Sequence, residues 1–308
     1  MSERARLAAV SVDLDEIPNY FGIHGLGDPT GSCRTLVYDV AMERLVALAT
    51  ELDIPLTLFA IGRDLERAEA ASQLQRALTF GFEVANHTYD HRYDLVRLEK
   101  SEIRRQIEMG TSAIERATGQ RPVGFRAPGY TVNDVVLDTL SEVGMKYDSS
   151  VFPCPVYWLA KAVAMALISL RGRKSRSVQD GPGVLIAPTR PYRVGRPYWS
   201  KGSGIVEMPV QVTRGLRLPF IGTTLSMAGE RGAAGLARMC VGEPMINLEL
   251  HGIDVLDVDD GLQALRAHQP DVRISWKRKS GSLRAAVRGL RARGYTFVTL
   301  REAALHHS

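Results

Sequence analysis

Apolar positions along the chain follow two rhythms. Short, nearly continuous apolar runs occur at Leu7–Val12, Leu56–Ile61, Phe82–Ala85, Val123–Phe125, Met145–Tyr147, Ile205–Met208, Ile246–Leu250 and Tyr295–Leu300. Runs of this length bounded by polar or turn residues read as buried strands. Between them, apolar residues recur at three- and four-residue spacing. Leu36, Val40, Leu45, Leu48 and Leu52 predict a helix over Leu36–Leu52. Ala68–Thr79, Lys100–Ala117, Asn133–Val143 and Leu283–Arg293 read the same way, and Gly81, Gly144 and Gly294 stand where helices stop. Strands alternating with helices predict parallel βαβ units, and seven or eight such units in 308 residues predict an α/β fold of the (β/α) barrel kind. One domain, 1–308, is expected. The stretch 151–204, rich in Pro, Arg and aromatic residues, breaks the rhythm and reads as an insertion within it.

Composition narrows the class. With 45% hydrophobic and 24% charged residues, the chain can bury a large core, and a disordered or fibrous protein is a poor match. The net charge of +5 suits an anionic partner without choosing one. Nucleic acid is not expected, because the basic residues form no recognised binding motif. Cys33, Cys154 and Cys240 have no CxxC spacing, so any metal must use His and carboxylate ligands. The opening MSERARLAAVSVDLDE holds no apolar stretch long enough for a signal peptide, and a cytoplasmic protein is expected.

The informative feature is where polar residues fall. Asp13 and Asp15 follow the first run, and His87 and His91 the third. Arg126, Asp148 and His251 end the Val123, Met145 and Ile246 runs. In a β/α barrel the C-terminal strand ends converge on one face, so five segments point to one pocket. Asp13 and Asp15, two apart in extended chain, face the same way; one can bind a metal while the other serves as a base. His87 and His91, four apart in HTYDH, share a face if that segment is helical. Two imidazoles and a carboxylate form a common catalytic set for a divalent ion that activates water and polarises a carbonyl.

In order, SVDLDE, NHTYDH, FRAPGY, YDSS and LELHG resemble the five motifs of the polysaccharide deacetylase (NodB-homology, carbohydrate esterase family four) family. The resemblance runs from about Leu7 to Leu300 and leaves only the insertion without a counterpart. It implies a distorted (β/α) barrel and a metal-dependent amidohydrolase acting on carbon–nitrogen bonds other than peptide bonds. It further implies Asp13 as base, Asp15, His87 and His91 as metal ligands, and Arg126 as the cation beside the base. His251 matches the general acid, Asp148 the acidic residue supporting it, and the backbone N–H near Gly129 an oxyanion donor. The cofactor implied is one divalent ion, Zn2+ first, with Co2+, Ni2+ or Mn2+ as alternatives. Three departures leave the substrate open: VDLD for adjacent aspartates, Gly129 for an aromatic residue, and no evident tryptophan after the fourth motif.

The leading expectation is removal of an N-acyl group, acetyl or formyl, from an amino sugar that is free, lipid-linked or part of a glycolipid. The alternatives are a small-molecule ureide or cyclic-amide hydrolase and a non-catalytic carbohydrate- or lipid-binding barrel. Within the insertion, Val156–Leu170 is nearly all apolar and is followed by Arg171, Arg173, Lys174 and Arg176. Burial of this helix against the barrel is the favoured reading. The other is contact with a lipid tail or the inner membrane surface through Trp158 and its neighbours, the four basic residues meeting phosphates. The oligomeric state is left open.

Overall fold

The computed structural model describes residues 6–307. Residues 1–5 of the opening stretch lie outside the described residues. The strands are β1 (Arg6–Asp13), β2 (Leu56–Ala60), β3 (Glu83–Asn86), β4 (Gly124–Phe125), β5 (Tyr147–Asp148), β6 (Tyr192–Val194), β7 (Lys201–Glu207), β8 (Met245–His251) and β9 (Tyr295–Phe297). The helices are α1 (Ile17–His24), α2 (Met42–Leu52), α3 (Ala68–Thr79), α4 (Lys100–Thr118), α5 (Asp134–Glu142), α6 (Pro155–Leu170), α7 (Gly222–Cys240), α8 (Trp276–Arg291) and α9 (Leu300–Leu305).

All strands join one curled sheet in the order β6-β7-β5-β4-β3-β2-β1-β8, with β9 paired to the start of β1. From β7 to β8 every pairing on this path is parallel, and only β6 runs antiparallel. Parallel strands are covered on both faces, which is why β1 and β2 are apolar nearly throughout. In β1 only Arg6 is exposed, and β2 is buried from end to end. Each buried Val, Leu or Phe contributes roughly 1.5–3 kcal/mol relative to exposure. The curl closes where the Gln211 N–H donates to the Asn247 carbonyl at 3.0 Å. The Asn247 amide also donates to the Met208 and Pro209 carbonyls at 3.2 and 3.3 Å, holding the chain that leaves β7 against β8. This is the distorted (β/α) barrel expected.

Two expectations change. The stretch 151–204 is not wholly outside the barrel, because β6 lies within it and β7 begins within it, and both are strands of the sheet. Only α6 and the loop after it stand apart from the strands. The favoured burial of α6 also fails: none of its residues is buried, and Leu159 is 60% and Leu170 84% exposed. Among the described residues no helix is long and apolar enough to cross a membrane.

Candidate active site

Five strands deliver the polar cluster. Asp13 is the last residue of β1, and His87 follows β3 directly. Arg126 follows β4 directly, while Asp148 and His251 end β5 and β8. Asp13, Asp15, His87, His91 and Arg126 are all buried, and the His251 side chain retains 23% exposure, on the open side of the cluster.

The two histidines do not meet on a helix. His87–Asp94 is a loop in which Thr88 and His91 take φ of 66° and 53°. A β-branched residue in that region is strained, and such strain persists only where surroundings fix it. Here they do. The Thr88 N–H donates to Asn86 Oδ1 at 2.7 Å, and Asn86 in turn donates to the Ile107 carbonyl at 2.8 Å. The Thr88 carbonyl accepts from the Gly62 N–H at 2.9 Å. A Cβ on Gly110 would lie 2.7 Å from Asn86 Oδ1, so only glycine lets α4 approach this loop.

The loop brings His87 Nε2 and His91 Nε2 to 3.3 and 3.1 Å from Asp15 Oδ1, and to 3.2 Å from each other. Ligand atoms about 2.0–2.1 Å from a tetrahedral ion stand roughly 3.3–3.4 Å apart, so these three atoms fit one divalent cation. Nδ1 of His87 lies 2.7 Å from the Arg126 carbonyl and donates to it. In the neutral ring this turns the Nε2 lone pair toward Asp15, where two acceptors face each other unless a cation lies between. Asp15 Oδ1 is buried and accepts no hydrogen bond among the described residues. Burial opposes charge on Asp15, but His91 and His87 outweigh it and hold its pKa well below the ordinary 3.8. Burial holds His91 below its ordinary 6.5, toward the neutral form a ligand needs.

Asp13 sits beside this triangle. Its Oδ1 accepts from Arg126 Nη1 at 2.6 Å, and its Oδ2 lies 3.8 Å from His87 Nε2 and 4.0 Å from His251 Nε2. Arg126 is fully buried and well satisfied. Its Nε donates to the Ser149 carbonyl at 2.7 Å, and its Nη2 to Ser11 Oγ and Ser149 Oγ at 2.8 and 2.9 Å. The guanidinium also lies 4.1 Å over the Phe59 ring. Burial works against this cation, and Asp13 more than offsets it.

Asp148 does not support His251. Its carboxylate accepts from Ser150 Oγ at 2.7 Å, and burial raises its pKa beside Glu207, whose own pKa is raised further. The carboxylate at His251 is Glu249, with Oε1 2.9 Å from Nδ1. The two residues lie two apart in β8 and therefore on the same side of the strand. Burial opposes charge on His251, yet Glu249 prevails and holds the imidazole well above its ordinary 6.5. The LELH spacing carried this signal, and the sequence reading passed over it. It also passed over Ser11 and Asn247, which link to each other at 2.9 Å beneath Arg126.

Gly129, at φ 63°, lies against Tyr93, whose ring meets His91 edge-on at 4.7 Å. Tyr130 follows, its hydroxyl 3.4 Å from His251 Nε2. Trp158 turns inward rather than out to a lipid, its indole N–H donating to the Asp180 carbonyl at 2.9 Å. Lys174 and Arg176, with Arg97, line a cleft of about 620 Å³ that reaches His91 and Tyr93. Arg171 and Arg173 do not line it and are exposed.

A curled parallel barrel with paired carboxylates and imidazoles at its strand ends defines the class, an α/β-barrel protein with a buried carboxylate–imidazole cluster. Residues 31–147, somewhat over a third of the chain, match the family model described as polysaccharide deacetylase. The matched segment holds His87, His91 and Arg126; Asp13, Asp15 and His251 lie outside it. A peptidoglycan deacetylase-like protein of Gibberella zeae is 27% identical over 183 residues, which is 56% of this chain and 52% of that protein. A bifunctional xylanase/deacetylase of Pseudobutyrivibrio xylanivorans is 30% identical over 98 residues, or 32% of this chain and 16% of that protein. The chain thus spans about half of one of these relatives and about a sixth of the other. The fold matches a crystal structure from Mycobacterium smegmatis, provisionally titled a polysaccharide deacetylase, with a TM-score of 0.55 and 20% identity over 96% of this chain and 94% of that one.

Proposed function

We propose that the chain is a metal-dependent hydrolase that removes an N-acyl group, acetyl or formyl, from an amino sugar. The observation that carries this reading is the Asp15–His87–His91 triangle with Asp13 on one side and the Glu249–His251 pair beyond it. Asp15, His87 and His91 would hold the ion; imidazole and carboxylate donors suit Zn2+ and also admit Co2+, Ni2+ or Mn2+. When bound, such an ion supplies Lewis acidity toward the acyl carbonyl and toward water.

The remaining work falls to the chain's own groups. Asp13 Oδ2 accepts the proton of the attacking water, while Arg126 holds Oδ1 and fixes the direction of the other oxygen. His251, kept protonated by Glu249, donates to the departing nitrogen. The Gly129 N–H is the proposed donor to the developing oxyanion. A non-catalytic sugar- or lipid-binding barrel needs neither a buried Asp–Arg pair nor a carboxylate-backed histidine.

The cleft lined by Arg97, Lys174 and Arg176 favours a substrate with an anionic group, as in a sugar carried on a lipid phosphate. Among the described residues these three cations have no ion-pair partner. A cytoplasmic position belongs to the same reading and is supported by three unpaired cysteines. The test is release of acetate or formate by the Zn2+-loaded protein from a panel of N-acylated amino sugars, free and lipid-phosphate-linked, run beside ureides and cyclic amides. Turnover confined to the ureides or cyclic amides would overturn the substrate class.

A further inference from the structure

Helix α6 has two unlike sides. On the inner side Tyr157 packs against Phe152 and Tyr130, with ring centroids 4.8 and 5.8 Å apart. Lys161 Nζ donates to the Gly129 carbonyl at 2.9 Å. These contacts fix the roll of the helix over the rim of the active site. On the outer side Val156, Leu159, Val163, Leu167 and Leu170 recur at three- and four-residue spacing, each between 48% and 84% exposed. One continuous apolar stripe therefore faces solvent.

Two more exposed apolar residues lie in segments tied to the start of the helix. Cys154 Sγ bonds the Arg217 carbonyl at 3.2 Å, and Arg217 Nη1 the Leu185 carbonyl at 2.5 Å. Ile186 and Leu216, the chain neighbours of Leu185 and Arg217, are 72% and 69% exposed. Past the other end come Arg171, Arg173 and Lys174, all exposed and without ion-pair partners among the described residues. No acidic residue occurs anywhere in 155–176.

We propose that α6 and its basic tail dock the chain on an anionic lipid bilayer, with α6 lying in the plane of the interface. The sixteen residues of the helix span about 24 Å at 1.5 Å per residue, too short to cross a bilayer core of about 30 Å. An apolar stripe with cations beside it is the pattern that buries into acyl chains while pairing with phosphates. A second copy docked stripe to stripe would offer an apolar face but no acidic residue from 155–176 for the tail. Docking sets the rim of the active site, through Lys161 and Gly129, beside the headgroup layer. Only the identity of what enters the cleft rests on the reading above; the docking itself does not.

The experiment is co-sedimentation with vesicles of phosphatidylcholine and phosphatidylglycerol at 3:1, or phosphatidylcholine alone, in low and high salt. The wild type is expected to bind the anionic vesicles best and to lose most of that preference in high salt, as charges are screened. The Leu159→Gln/Val163→Gln/Leu167→Gln variant is expected to lose at least tenfold in binding to both. Arg171→Gln/Arg173→Gln, on exposed side chains, is expected to lose about twenty-five-fold on anionic vesicles only, at roughly fivefold per charge. Both variants should keep the wild-type melting temperature and turnover of a soluble acylated amino sugar. Wild-type protein that stays in the supernatant with every vesicle overturns the docking. So does a wild-type dimer in light scattering that the triple substitution makes monomeric without any vesicle binding, since a second copy then covers the stripe. Soluble turnover reads the proposed chemistry separately, so failure of one leaves the other standing.

Discussion

Glu249→Gln tests how the proposed acid is kept charged. The substitution preserves shape and removes one negative charge 2.9 Å from His251 Nδ1. At that distance Coulomb's law gives ~1.4 kcal/mol with the screening of bulk water and ~6 kcal/mol at an effective dielectric of 20. One pKa unit corresponds to about 1.36 kcal/mol, so His251 should fall by at least about one unit. A protonated acid is needed for turnover, so the loss must appear on the alkaline side. The descending limb of kcat/KM against pH should move about one unit or more toward acid, while the plateau below it drops less. The linked stability effect has the same sign. A histidine raised in the folded state stabilises fully below its unfolded pKa, and that contribution is lost as pH rises through the folded pKa. Glu249→Gln should therefore cost stability in acid and little in alkali. The assay is acetate or formate release across pH, paired with urea unfolding at the two extremes. An alkaline limb that stays in place would refute the Glu249–His251 coupling.

His87→Ala and His91→Ala should each lose bound divalent metal and turnover together, read by elemental analysis and product release. Asp13→Asn should keep the metal and lose roughly 10²–10⁴-fold in kcat, because the amide cannot take the water proton. Arg126→Met leaves Asp13 buried without its cation and should destabilise the fold by roughly 3–5 kcal/mol in urea unfolding. Glu207→Gln should do the reverse. Burial and Asp148 hold Glu207 well above its ordinary 4.5, so the folded state loses stability as pH rises from that value toward the raised pKa. Removing the group should raise the melting temperature at neutral and alkaline pH and leave it unchanged near pH 4.

The strands were legible because a doubly covered parallel sheet leaves continuous apolar runs, and β1, β2 and β8 fall within a residue or two of the sequence reading. Helix α3 matches it end to end. Helix α7 went unread because four glycines and a kink at Gly229, φ 69°, interrupt its period. The condition set for HTYDH, a helical segment, is not met, because spacing of four reports proximity only once the backbone is known. Here two positive φ values bring the imidazoles together instead. Asp148 entered as the support of His251 only through the family resemblance, and Glu249, set inside the apolar run Ile246–Leu250, shows as the partner of His251 only once the side chains are placed. Exposure of α6 was out of reach for a different reason. An apolar helix states what it could bury, and only the packing of Tyr157 and Lys161 shows which side is left outward.

The most direct measurement is metal stoichiometry taken together with turnover on one preparation. Purified protein should hold one equivalent of divalent metal by elemental analysis and release acetate or formate from an N-acylated amino sugar. Stripping with a chelator should abolish both, and adding back one equivalent of Zn2+ should restore both. Equal metal binding by the His87→Ala/His91→Ala double variant, or undiminished turnover by stripped protein, would contradict a metal centre built from Asp15, His87 and His91.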